Sequence, residues 1–503
     1  MKTFLFRIIA ASLTVAGFAL AQGGVGPIET TPIGAEPASL RKEIPAAGGR
    51  HLIWIAFTNE QQMVILDGKS DPAFPMIKGG PVLSPDGSRV AYKVDSPDGS
   101  NRVIVVDGKP GPVHEVISNG SIEFSPDSRH LFYMVQDGPK TEVLRDGAPF
   151  MPGAAVQGGF RLSPDCTRMA WKTAPPDAPT RRQMMLDGKP SGPVVDQVIN
   201  TAVAFSADGK RLAYCAQNGP DAASFHARKT FVVVDGVAHP EYDSIEALQF
   251  DPNGAACVYL ATDGAKQRVI VDGKQGPAYD SIDPYFVRFA ADGKRWGYRA
   301  QKGAQWVLVL DGNESGQYGG ILDWTFSPDG KRVAVIDRQG AKFVVVLDGK
   351  PGPAADLIPP PVVFSLDGKH CAYRAQTAGA WRVIVDGQAG DAWDLVPDAP
   401  RFSPTGSRSA YFALKGGQWN AVVDGKPAPC EWFAWGSLAF SPDGRSVAYK
   451  ARDGDRWRVV LDGERGPVFD RMPESGPAFM PDGSLEYLAV KNKTLVRVTS
   501  VRK

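Results

Sequence analysis

Helical periodicity is nearly missing from this chain after residue 22, and that absence excludes most helical folds. Charge of one sign is missing too. Lys and Arg number 56 against 55 Asp and Glu, with no basic stripe or acidic tail, so nucleic acid is not an expected partner. Beyond the first twenty residues no apolar run is long enough to span a bilayer. Cysteine is scarce and odd in number: Cys166, Cys215, Cys257, Cys371 and Cys430. Cys257 and Cys371 fall where neighbouring segments of similar pattern carry Val or Leu, and Cys430 stands where another carries Val113. They read as small buried hydrophobes, not as a disulfide framework. The six histidines show no metal-ligand spacing, and no phosphate-binding loop or paired-carboxylate motif stands out. No catalytic residue, metal or cofactor is therefore assigned.

A two-part phrase fills the chain instead. An apolar step enters a turn, as in FSPDGKR at Phe326–Arg332, and a β-branched run enters Asp-Gly, as in FVVVLDGK at Phe343–Lys350. It recurs eleven times, its first half at intervals of 37 to 45 residues. A period near 40 with strands in every unit marks propeller blades, because no single unit can bury its own apolar face. In Trp324–Ile358 the unit reads as four antiparallel strands: inner (WTF), second (KRVAVID), third (KFVVVL) and outer (GKPGPAADLI). SPDG joins the first two, and Asp348-Gly349 is a two-residue hairpin signal joining the last two. A degenerate copy at Glu43–Ala56 brings the inner–second hairpins to twelve.

The expected fold is therefore all-β, made of about twelve four-stranded antiparallel blades. Rings usually hold four to eight blades, so two six-bladed propellers are expected, over residues 39–283 and 284–503, with five plus seven as the other division. The break falls at Ser281-Ile282-Asp283-Pro284, and nine of eleven tryptophans follow it. The last blade lacks an Asp-Gly turn and an outer strand, while Gly26-Pro27-Ile28-Glu29 resembles the outer-strand phrase Gly111–Glu115. Residues 22–38 thus read as the closing outer strand of the last blade, or as a linker. Residues 1–21 read as a signal peptide, with Lys2 and Arg7, an apolar stretch at Ile8–Phe18 and Ala19-Leu20-Ala21 before the cut. A periplasmic or secreted destination follows from that reading, the periplasm being the plainest.

FSPDGKRVAY followed by a third strand and an aspartate resembles the TolB-type, WD-repeat-like propeller repeat over residues 40–500. The resemblance implies four-stranded blades and a binding role at the cell envelope. The chain has no room for the α/β domain that precedes the TolB propeller, and it lacks the hydrolase domain and G-x-S-x-G elbow of propeller peptidases. The expectation is a non-enzymatic exported scaffold binding a protein or peptide through its loop face or central channel. A propeller-based polysaccharide lyase or hydrolase, and a carbohydrate-binding protein using the Trp-rich half, are the alternatives.

Tight turns share one face of such a disc, and the variable loops, such as Thr173–Arg182 and Ala216–Lys229, share the other. Two recurring features lie near the loop face. One is an acid late in the outer strand: Glu115, Asp196, Asp243, Asp280, Asp356, Asp394 and Asp470. It is either a partner-binding carboxylate or a structural cap on backbone N–H groups. The other is a tryptophan opening the third strand, at Trp306, Trp381, Trp419 and Trp457, which is either a stacking surface or cross-strand packing. Trp432 and Trp435, in EWFAWGS, break the repeat pattern and read as exposed. His51, His130 and His370 share a position just after the first turn and read as surface residues, while His226 and His239 flank one strand.

Overall fold

The computed structural model describes residues 25–502 apart from 38, 46–49, 59, 97, 152–155, 158, 220–228, 284–286 and 474–475. The signal-like segment, His226 and most of the loop before Lys229 lie outside the described residues. Among the described residues there is no helix, and the strands form twelve sheets, each built on four antiparallel strands in radial order. They are numbered here as blades 1 to 12; blades 1 to 11 each contain one Asp-Gly turn, from Asp67 to Asp462.

Every Asp-Gly turn has the same shape. The aspartate φ lies between 45° and 51° and the glycine φ between 74° and 87°. Two consecutive left-handed residues make a type I′ turn, whose twist matches that of the flanking strands, and Asp and Gly tolerate that region best. The aspartate then acts a second time. In blade 8, Val333 N–H donates to Asp348 Oδ1 at 2.9 Å and Arg332 Nε donates to Oδ2 at 2.9 Å. The Arg332 guanidinium continues to the Lys369 carbonyl of blade 9 at 2.6 Å and lies 5.6 Å from the Phe364 ring. Arg89, Arg211, Arg295 and Arg408 repeat this clamp on the next blade. His51, His130 and His370 occupy the arginine position, each with Nδ1 2.6 Å from its aspartate, so they are turn partners and not idle surface residues.

Successive blades pack through twelve apolar clusters. Blades 6 and 7 share Leu260, Val269, Tyr279, Ile282, Tyr298 and Val309, straight across the break expected after Asp283. Blade 12 packs Leu488, Val490 and Leu495 on Leu52 and Trp54 of blade 1. Two closed six-bladed rings would instead need blade 6 on blade 1 and blade 12 on blade 7. The chain is one ring of twelve, and the expected division into two rings is corrected. The physical reason is local: the outer strand of blade 6 ends in the same Tyr-Asp phrase as that of blade 5, so its face is as ready to be covered as any other. With facing sheets about 10 Å apart and strands about 4.8 Å apart, twelve blades leave the inner strands roughly 12 Å from the axis, around an open shaft.

The ring is closed by its N-terminal segment. Val25–Ala35 pairs antiparallel with Thr494–Arg502 as the outer strand of blade 12, with Ile28 opposite Ser500 and Ala35 opposite Thr494. At the seam Gly34 lies against Gly68 so closely that a Cβ on either would strike backbone. Arg471 completes the seam by pairing with both Glu36 and Glu43.

Candidate interaction surface

The loop face carries the second-to-third turns and the crossings from one blade to the next. The recurring outer-strand acids join these two features. Asp243 Oδ2 accepts the Gly264 N–H at 2.7 Å, Asp280 accepts Gly303 N–H at 2.6 Å, and Asp356 accepts Ala378 N–H at 2.7 Å. Asp196, Asp394 and Asp470 do the same for Gly219, Gly416 and Asn492, and Glu115 for Gly138. Each therefore ties one blade to the turn of the following one. Lysines hold the other oxygens: Lys229 on Asp243, Lys266 on Asp280 and Lys342 on Asp356. Those ammonium groups, helped by the backbone N–H, lower the three carboxyl pKa values. Glu431 makes the same cap on Gly454 at 3.0 Å; Trp432, which follows it, masks it as a copy of the phrase. No group of three or more His, Cys, Asp or Glu converges as metal ligands among the described residues.

The third-strand tryptophans are half-buried against the apolar cluster each blade shares with the next. Trp306 pairs with Tyr318, Trp381 with Trp393, and Trp457 with Phe469. The last register is set by a bulge in the outer strand between its pairs at Arg458 and Val460. Cations from the second strand cover these rings: Arg299 at 5.3 Å from Trp306, Arg374 at 5.6 Å from Trp381 and Lys450 at 4.3 Å from Trp457.

Trp419 differs, because it belongs to an aromatic cluster that reaches the surface. It lies 5.0 Å from Phe433 and 6.0 Å from Trp432. Phe433 is buried in the crossing from blade 10 to blade 11, stacked at 3.7 Å on Phe412. On either side of this anchor Trp432 is 42% exposed and Trp435 54% exposed. The crossing is held by the second strand of blade 11: Arg452 N–H donates to the Trp432 carbonyl at 2.9 Å and Ala434 N–H to the Lys450 carbonyl at 3.0 Å. Ser437 Oγ donates to the Ala434 carbonyl at 2.7 Å and closes the turn that carries Trp435. The two indoles do not form one flat platform. Relative to the Phe433 ring, Trp432 is inclined by 22° and Trp435 by 60°. His239, also named above, sits 3.2 Å from the Tyr259 hydroxyl, away from these groups.

No protein-family model matches the chain. No curated protein matches it either. Among solved structures it is similar to a eukaryotic initiation factor, at 11% identity and a TM-score of 0.37, over 73% of this chain and 92% of that one. TolB from Acinetobacter baumannii is similar at 13% identity and a TM-score of 0.25, over 57% of this chain and 79% of that one. A putative TolB from Agrobacterium tumefaciens is similar at 18% identity and a TM-score of 0.24, over 45% and 93%. These likenesses assign no activity.

Proposed function

We propose that this chain is an exported, non-enzymatic scaffold that binds a protein or peptide partner through the loop face of its ring, with Trp432 and Trp435 as anchors. A β-propeller suits such a role, since a rigid circular frame presents loops of varied chemistry on one face. The observation that carries the reading is the pair of exposed indoles held on a pinned crossing over buried Phe433. Rigid exposed Trp is the residue type that dominates protein interfaces, because it buries a large area with few rotatable bonds to order. The mutual inclination of the rings suits side chains of a partner better than the flat face of a sugar. Export rests on the signal-like first 21 residues, and among the described residues no helix is long and apolar enough to cross a membrane.

The test is site-specific photo-crosslinking from positions 434 and 455 in an envelope fraction, compared with Trp432→Ala/Trp435→Ala. A discrete protein adduct that disappears in the double variant supports the reading. Adducts unchanged by the double variant, or binding to glycan arrays in place of protein, would overturn it.

A further inference from the structure

Between blades 2 and 3 the loop face holds a cavity of about 500 Å³, lined by Lys78, Lys93, Arg102, Ser118, Asn119 and three glycines among others. A Cβ built on Gly79, Gly80 or Gly120 would meet no atom within 4 Å, so the glycines leave that space open. Lys78 and Arg102 both reach Asp95, at 3.2 Å and 3.0 Å. Buried Lys93 donates to the Ile117 carbonyl at 3.2 Å and to the Asn119 side-chain oxygen. Two of the three cations thus share one carboxylate, and the third has only neutral acceptors.

The repeat register shows how blade 2 differs from blades 7, 9 and 11. Lys93 occupies the second-strand position of Arg299, Arg374 and Lys450, each of which also reaches carbonyls of the next crossing. In blades 7, 9 and 11 that cation is covered by the third-strand indole of Trp306, Trp381 or Trp457. In blade 2 the indole position is Arg102, which pairs with Asp95 as Trp306 pairs with Gln301. An attractive ring is replaced by a like charge, and the space the ring would fill stays empty. Burial, with Arg102 and Lys78 adding to it, lowers the Lys93 pKa. Such a constellation carries more positive charge than the Asp95 carboxylate offsets. A second cavity of about 440 Å³ adjoins it, sharing Val82 and Ile122, and continues along the inner strands past Ile44, Leu83 and Phe124.

We propose that this site binds an anionic headgroup, a carboxylate or phosphate, attached to an apolar group that enters the adjoining cavity. The headgroup takes charge-assisted hydrogen bonds from Lys78 and Arg102 while Lys93 supplies field from behind. The site lies away from the blade 10–11 aromatic pair and stands or falls independently of it.

Calorimetry on the full chain at low salt tests it with inorganic phosphate, octanoate, and N-acetyl-alanyl-alanyl-leucine as free acid and amide. One site per chain is expected, with octanoate or the free-acid peptide binding about tenfold more tightly than phosphate and the amide losing that gain. The tighter of the two identifies the source, an acyl carboxylate or a chain end. Arg102→Trp, which restores the indole of blades 7, 9 and 11, and Lys78→Gln are each expected to weaken binding about tenfold, whereas Lys350→Gln leaves it unchanged. If Arg102→Trp does not fold, Lys78→Gln decides alone. Absence of saturable binding by every probe, or wild-type affinity in the folded variants, overturns the proposal.

Discussion

Replacing Asp348 separates the two tasks of the repeating aspartate. Asp348→Ala removes the acceptor for Val333 N–H, worth about 1 kcal/mol net. It also places a Cβ without a compensating side-chain hydrogen bond at φ 51°, for roughly another 1 kcal/mol. The ion pair to Arg332 is partly solvated, with side chains 27% and 41% exposed, so its share is well under about 1 kcal/mol. The expected total is about 2–3 kcal/mol. Asp348→Asn keeps the acceptor and tolerates the left-handed region, so it should lose under about 1 kcal/mol. Urea unfolding followed by tryptophan fluorescence gives the midpoints, and hydrogen exchange at Val333 gives the local readout. Because a ring of this size need not unfold in one step, the exchange result carries the argument. Protection at Val333 should be lost in Asp348→Ala and kept in Asp348→Asn. Equal protection in the two variants would refute the assignment of turn stability to the Val333 hydrogen bond.

Deleting residues 25–35 should expose the edge of Thr494–Arg502 and convert a monodisperse ring into an opened or self-associating species, visible by light scattering; an unchanged hydrodynamic radius would contradict closure by this strand. All five thiols are free and buried, and burial pushes Cys166 and Cys430 up to about 11 and Cys215, Cys257 and Cys371 to about 12. Native protein at pH 8 should therefore react with iodoacetamide far more slowly than urea-unfolded protein, in which all five label. Turn serines and backbone N–H groups hold Asp98 and Asp208 at about 2 and lower Asp127, Asp329 and Asp367. A depressed folded pKa gives stability that is present above the unfolded value near 3.9 and lost as pH falls toward the folded one. The thermal midpoint should thus be insensitive to these groups from pH 8 to 5 and drop between about pH 4 and 2.

The blade was legible because turn chemistry is local. Asp348-Gly349 and the SPDG at Ser327–Gly330 need only their own φ values to form, and repetition every 40 residues or so makes each copy check the others. Even the exceptions keep the geometry: Ser128 and Cys166 stand in the glycine position of that turn with φ of 64° and 58°. The clamp from Arg332 to Lys369 was present in the register, as a basic residue a constant step after the turn, yet only the neighbouring blade reveals its acceptor. The outer-strand acids posed the same difficulty. Asp280 and Asp356 look like a surface ring in one dimension, and become caps once the adjacent turn is brought to them.

What the chain alone determined is the four-stranded unit and its turns, set by backbone preferences within some forty residues. Tertiary structure decided that twelve blades share one axis, because ring size depends on the wedge angle at each interface and on which faces find one another. It likewise decided that Arg102 opens a cationic cavity where Trp306, Trp381 and Trp457 fill theirs, since the meaning of that substitution lies in the volume and charge around it.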